Sequence, residues 1–357
     1  PDIVLASQTW LLDALLVDGV PLKDIRSSVP AELWQQYRPC AVNAMRAENG
    51  LFGLPESIEV HALYFNKELI DEPASNLSTL RIQSLDGTPI VIDTRFSRAL
   101  WALGAFGGAL FDADNHVILD QGGFAEWLQW LKESRDMYGV QLSNEGQEIK
   151  TLFKRGQSAY YVGTADEHAE LSDAIGAENL QVAILPSGPL GNASPLLLAS
   201  GYFFSDSLSD SEFDLALKFV EFATGAENQT LVAEMTDRIP ANATLDLSDK
   251  PFLDVFSEQA ELARGVPNVH QIRRVAELGD QAYVDVLESG ADPQATVATV
   301  TRQMNEALGF EPLVGPDESQ DDAAGWERSS SNDGDSEAMV DQPGPIGNIA
   351  QDELDAQ

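Results

Sequence analysis

A two-part α/β fold is what this sequence predicts, on three observations. The chain has 357 residues, more than the roughly 250–300 that one hydrophobic core serves. Short apolar runs alternate along it with stretches whose apolar side chains recur at helical spacing, the pattern of strands interleaved with helices. Its hydrophobic content, 43%, is that of an ordinary globular protein, so there is enough apolar surface to fill two cores.

The elements follow in order. Ile3-Val4-Leu5 reads as a strand, and residues 9–16 as a helix that Gly19 stops. A β-rich run covers 58–66, and Pro89-Ile90-Val91-Ile92-Asp93 is a further strand leading into a helix predicted over about 95–106, where Gly107-Gly108 breaks it. Residues 111–117 read as a strand end and turn before the helix carrying Trp127, Trp130 and Leu131. A helix end passes into a strand between 153 and 162, and 180–186 is a strand closed by a Pro/Gly-rich turn. Residues 212–223 and 226–235 form a helix pair around Gly225, and 254–263 and 294–308 are later amphipathic helices. From about Pro316 acidic residues face only Arg328 among Ser, Gly, Pro, Asn and Gln, so 313–357 is predicted to be a disordered acidic tail or linker.

Composition excludes several functions. Fifty-eight acidic residues against 21 basic ones give a net charge of -37, which repels nucleic-acid backbones and anionic lipid. The single cysteine, Cys40, leaves no intrachain disulfide and no cysteine metal cluster, and reads as a small buried hydrophobe. No run approaches the roughly 18 apolar residues of a membrane-spanning helix. The chain opens on Pro1-Asp2-Ile3-Val4, without an initiator Met or a signal peptide, as if cut at a strand.

Gly53-Leu54-Pro55-x-Ser57-x-Glu59 followed by Ala62-Leu63-Tyr64-Phe65-Asn66-Lys67-Glu68-Leu69 resembles the segment by which maltose-type solute-binding proteins first cross between lobes. Pro1-Asp2-Ile3-Val4, Gly107-Gly108 with Phe111, Tyr161-Val162-Gly163-Thr164, Gly201-Tyr202-Phe203-Phe204 and Arg238-Ile239-Pro240-Ala241-Asn242 keep the same order over residues 1–310. The resemblance implies a periplasmic-binding-protein type II fold with two discontinuous α/β lobes joined by a hinge. Lobe I would comprise 1–57 and 200–245, and lobe II 58–199 and 246–312. A strand-helix-strand unit and a signal peptide that family members carry upstream are missing from the sequence.

The family also implies a role. A solute held between lobes contacts both only when they close, so binding is converted into a shape that an ABC transporter permease reads. The expected ligand is a mono- or oligosaccharide. No cofactor, no metal and no nucleic acid are expected, and the protein would be an extracytoplasmic monomer in the periplasm or on the cell surface as a lipoprotein.

Sugar sites need carboxylates, amides and guanidinium groups for hydroxyls and aromatic faces for C–H surfaces. Residues matching the family's ligand-contacting positions are Ser7 and Gln8 at the tip after the first strand, Glu59 on the first crossing, and Arg95, Ser97 and Trp101 after the strand ending at Asp93. Asp166, Gly201 and Tyr202 on the return crossing, Arg238 and His270 complete the set. Several have a second reading on their own chemistry. Ser7 suits a helix cap, as does Asp166; Trp10, a stacking candidate, and Trp101 have the spacing of core residues; Arg238 suits a structural ion pair. Ala165 stands where the family frequently has Trp, which removes a stacking platform and argues against maltodextrins in particular.

Four rivals remain. Glu56 and Glu59 suggest a glycosidase pair, but three residues apart on a strand they face opposite ways, and no other catalytic motif accompanies them, so no enzyme is expected. Tyr160-Tyr161 resembles the adjacent tyrosines of ferric-ion binding proteins, and a polyamine-type ligand is the related alternative. Asp112-x-Asp114 begins like a calcium loop but lacks its glycine and terminal glutamate. Finally, the same fold could serve as the sensing or surface-binding module of a larger protein.

Overall fold

The computed structural model describes residues 1–12, 19–47 and 50–310; the side chains of Trp10 and Leu12 and the acidic segment 313–357 lie outside the described residues. The strands are β1 (Ile3–Ser7), β2 (Arg46–Ala47), β3 (Gly50–Leu51), β4 (Gly53–Val60), β5 (Ala62–Asn66), β6 (Ile90–Asp93), β7 (Val140–Ser143), β8 (Tyr160–Gly163), β9 (Leu180–Ala183), β10 (Leu196–Phe204), β11 (Ile239–Pro240) and β12 (Arg264–Gly265).

One sheet has the order β1-β10-β4-β11, with β12 parallel to the start of β10. Its centre, β10, alternates half-buried and buried residues, as expected of a strand with one face on a core. Leu197, Ala199, Gly201 and Phe203 form the buried set. Antiparallel partners fix the register on both sides: Ser7 lies opposite Ser200 on β1, and Ser57 lies opposite Ser200 on β4. A bulge falls between Ser200 and Gly201.

A second sheet has the order β8-β5-β9, with β5 buried along its whole length because both faces are covered. The parallel pair β6-β7 lies next to it; the Ala159 N–H, just before β8, donates to the Pro89 carbonyl, just before β6, at 2.7 Å. A single residue, His61, separates the end of β4 from the start of β5, so the two sheets are joined by one peptide step.

The buried hydrophobics form two clusters. One is centred on β1, β4 and β10 and the helices Pro39–Ala44, Asp210–Ala223 and Pro251–Leu262, and reaches Tyr64, Phe153 and Tyr161 of the neighbouring sheet. The other contains Phe96, Trp101, Phe124, Trp127, Tyr283 and Met304. Helix Pro251–Leu262 packs between sheets: the Phe256 ring is 5.7 Å from that of Tyr64, and the side-chain Oε1 of Gln259 accepts from the Leu185 N–H at 2.7 Å.

Helix starts follow local chemistry. Asn76 and Asp292 accept from the backbone N–H three residues on, and Ser209 with Glu212 forms a capping box. The helix expected over 95–106 is instead two short ones, Phe96–Ala99 and Ala102–Ala105. At the break the Leu103 N–H bonds the Leu100 carbonyl at 2.9 Å, an i→i−3 contact of the tighter 3-10 type, and the Ser194 N–H adds a bond to the Trp101 carbonyl at 2.8 Å.

Candidate functional site

Residues directly opposite one another on paired strands share a face. Ser7, Ser200 and Ser57 therefore form a row of hydroxyls across β1, β10 and β4, and Glu59 with Leu198 forms the adjacent row. Facing them is the turn after β8. There Ala62 pairs with Gly163, and Thr164 starts the 3-10 turn Ala165–Glu167. The Glu167 carboxylate fixes that turn by accepting from the Thr164 N–H at 2.9 Å and the Tyr161 hydroxyl at 2.9 Å, which leaves Asp166 exposed at its tip. Ser7, Ser57, Glu59, Asp166, Ser200 and Arg238 line a pocket of about 90 Å³, with Leu198 and Ile239 as its apolar part.

Arg238 follows Asp237, whose left-handed conformation (φ 55°) ends helix Ala226–Thr236. Its guanidinium donates to Ser57 Oγ at 2.6 Å and to Glu56 Oε1 at 3.3 Å, and lies 2.9 Å from Glu56 Oε2. Glu56 is 4% exposed, while Glu59, on the opposite face of β4, is exposed. The ion pair thus holds the arginine against the serine row, and both readings of Arg238, structural and pocket-lining, are realised in one geometry.

Glu59 reaches solvent but projects into a concavity. Protein crowding displaces part of its hydration and raises its pKa, Asp166 and Glu167 raise it further, and Arg98 and Arg238 pull the other way. Neither Glu59 nor Asp166 spends its carboxylate on a hydrogen bond among the described residues, so both are available to a bound donor. His61, two residues past Glu59, has its pKa pushed down to about 3 by burial first and then by Arg98 and Arg95, so it is neutral at any physiological pH.

The other predicted positions lie elsewhere or serve packing. Gln8 is 1% exposed; its amide donates to the Val266 carbonyl at 2.6 Å and to Asn268 Oδ1 at 3.1 Å and accepts from the Ala199 N–H at 3.3 Å, so it ties β10 to the loop after β12. Trp101 is 5% exposed and packs 5.5 Å from Trp127, which makes it core rather than a stacking platform. Arg95 forms a multidentate pair with Asp93 and borders a separate cavity of about 510 Å³ with Ser143, Asp280 and Tyr283. Gly201 is buried, and a Cβ there would meet Met45 Sδ at 2.5 Å, so its role is close packing. Tyr202 is half-buried, edge-on to Phe219 at 6.3 Å. Ser97 and His270 are exposed and do not border the pocket, and the Trp10 side chain lies outside the described residues.

The rival sites are resolved by hydrogen bonding. The Tyr160 hydroxyl donates to Gln83 Oε1 at 2.7 Å and accepts from the Ala74 N–H at 2.8 Å, whereas the Tyr161 hydroxyl donates to Glu167 Oε1 at 2.9 Å, so the two adjacent rings serve different neighbours. Asp112 closes its own turn by accepting from the Asp114 and His116 N–H groups, both at 2.9 Å. Ser57 and Ser200 were not singled out in the sequence. What brings them together is strand register over some 140 intervening positions, and a single sequence carries no direct signal for that.

Residues 5–260 match the family model described as bacterial extracellular solute-binding protein. The chain is 22% identical over 333 residues to the maltooligosaccharide ABC transporter solute-binding lipoprotein of Streptococcus pneumoniae, covering 85% of this chain and 73% of that protein. It is 22% identical over 312 residues to the galactooligosaccharide-binding protein of Bacillus subtilis, covering 80% and 71%. Among solved structures, the GacH receptor of Streptomyces glaucescens, determined unliganded and with acarbose and an acarbose homolog, superposes with a TM-score of 0.75 at 19% identity, covering 87% of this chain and 84% of that one. At that identity the likeness is one of fold, and the fold is that of the periplasmic binding proteins.

Proposed function

Because this chain belongs to the bacterial extracellular solute-binding protein family, we propose that it captures a neutral oligosaccharide outside the cytoplasm and delivers it to an ABC transporter permease, without chemistry. The observation that carries the sugar reading is the pocket itself. One wall carries Glu59 of β4 beside a row of serine hydroxyls anchored by Arg238, the other carries Asp166 of the turn after β8, and both carboxylates are uncommitted. Hydroxyl groups donate and accept, so a polyol matches such a lining where an apolar ligand does not. The relatives' ligands, maltooligosaccharides and galactooligosaccharides, are of that class.

The lobe bounds expected from the sequence put Glu59 and Asp166 both in 58–199, but β4 carries Glu59 on the same sheet as Ser7, Ser57 and Ser200, so the lobe boundary in this reading falls at His61, with Glu59 on one wall and Asp166 on the other. A cavity of about 90 Å³ is far below the roughly 300–1,000 Å³ of small-molecule sites. A sugar therefore enters with the walls further apart and is held as they approach, with the crossings at His61 and Arg238 as the hinge. A monomer is sufficient for this cycle.

A thermal-shift panel of maltooligosaccharides, galactooligosaccharides, polyols and amines tests the reading. At one hundred times the dissociation constant, binding stabilises by about 2.7 kcal/mol, which raises the Tm of a chain this size by about 4 °C. Glu59→Ala should keep the unliganded Tm and lose the ligand-induced rise. Equal rises for wild type and Glu59→Ala would remove Glu59 from the site, and no rise with any sugar would remove the carbohydrate.

A further inference from the structure

Among the described residues β7 pairs with β6 alone, so its outer edge is open. The Gly139 and Ser143 carbonyls accept from the Ile90 and Thr94 N–H groups at 2.8 and 2.9 Å, so the odd-numbered positions of this segment bond β6. In a parallel pair the residues between them point the other way, which turns the N–H and carbonyl groups of Leu142 and Asn144 outward. Both residues border the cavity of about 510 Å³, a volume within the range of small-ligand sites. The charges around that cavity divide into spent and unspent. Arg95 is spent on Asp93, and helix Gly146–Lys154 starts against its guanidinium, where a Cβ on Gly146 would lie 2.4 Å from Arg95 Cζ. Arg135 gives Nη1 to the Leu287 carbonyl and pairs with Asp136. Glu145, Asp280 and Glu288 border the same cavity, and none has an ion-pair partner among the described residues. Glu145 precedes Gly146, and Asp280 accepts from the Phe96 N–H at 2.7 Å, so both stand at the Arg95 end. Glu288 closes helix Ile272–Leu287 at the other end, about 12 Å from Asp280 at 1.5 Å per residue.

We propose that this cavity is a second binding site, for a short basic peptide in extended form that adds to β7 as a further strand. Its main chain pairs with the outward N–H and carbonyl groups of Leu142 and Asn144, as one strand of a sheet pairs with the next. Its Lys or Arg side chains meet Glu145 and Asp280 at one end and Glu288 at the other, a separation that about three extended residues span at roughly 3.3 Å each. The unspent carboxylates repel an acidic peptide. They also oppose pairing of β7 with β7 of a second copy, which would set Glu145 and Glu288 against carboxylates of the same kind. The site shares no lining residue with the pocket of Glu59 and does not depend on the carbohydrate reading.

Calorimetric titration of the full chain with acetyl-Lys-Ala-Lys-amide at low salt should show saturable binding of one peptide per chain. N-methylation along the backbone of that peptide keeps its charges and removes its main-chain donors, and should weaken binding by about 10-fold or more. Acetyl-Glu-Ala-Glu-amide should not bind. The double variant Glu145→Gln/Glu288→Gln, which leaves Asp280 on the Phe96 N–H, should weaken the lysine peptide by about 3- to 30-fold and keep the Tm of the unliganded protein. Equal binding of the N-methylated peptide would overturn strand addition and reduce the site to surface charge. Equal binding by the double variant would place the peptide elsewhere on the chain. No binding of the lysine peptide would overturn the site outright, and so would a dimer in sedimentation that the peptide does not dissociate, since a second copy would then hold the edge.

Discussion

Glu56→Ala should lower the unfolding free energy by about 2–3 kcal/mol. Breaking a buried ion pair by removing one partner costs about 3–5 kcal/mol, because the other charge stays buried and unpaired. Here the surviving Arg238 side chain is 35% exposed, so water recovers part of that cost. The partner lost is a carboxylate that is itself buried in β4 and takes both ends of the guanidinium. Chemical denaturation of Glu56→Ala, Arg238→Ala and the double variant checks this. The double variant should be more stable than the sum of the single losses, since removing both charges leaves nothing unpaired. Strict additivity would mean that the pair contributes nothing beyond its separate side chains. Sugar affinity should fall with Glu56→Ala as well, because Arg238 loses the anchor that holds it on Ser57.

Trp101→Ala should cost about 3–5 kcal/mol of stability, the range for truncating a large aromatic in a core, and leave sugar affinity in the folded protein unchanged. Its indole packs against Trp127, which in turn stacks on Trp130 at 5.2 Å and donates its Nε1–H to the Tyr283 hydroxyl at 2.9 Å. An alanine there opens a void between the helix after β6 and helix Phe124–Ser134 that no neighbour can fill without moving a second aromatic. The paired readouts are a denaturation midpoint and a sugar titration at a temperature where the variant is folded. A stable variant with lost affinity would return Trp101 to the ligand site.

The difference between Glu59 and Trp101 illustrates what a sequence carries. Glu59 stands in a β-rich run whose apolar alternation already fixes which residues face a core, so an acidic side chain at that place points outward on local grounds. Trp101 has helical spacing that suits either face, and only the Ser194–Trp101 hydrogen bond and the position of Trp127 decide between them. Asp166 was legible as a polar candidate that also suits a helix cap, and its place at the exposed tip of the turn Ala165–Glu167 comes from the fold. Gln8 was legible as polar and near the tip of β1, but its three hydrogen bonds reach residues about 190 and 260 positions away, and they make it a strut between β10 and the loop after β12.

The α/β class and most strands followed from alternating apolar runs, and the order of landmarks from residues 1 to 310 carried the family. Pairing carried the rest. The serine row exists because β1, β10 and β4 meet in one register, and a slip of one residue would turn all three hydroxyls into the core.

In the proposed cycle two walls, one carrying Glu59 and the other Asp166, approach each other around a neutral sugar. Small-angle X-ray scattering of the purified chain, titrated with the oligosaccharide giving the largest thermal shift, measures that approach directly. The radius of gyration should fall and saturate at one sugar per chain, with Glu59→Ala showing no fall at the same concentrations. Saturable binding with an unchanged radius of gyration would contradict capture by closure.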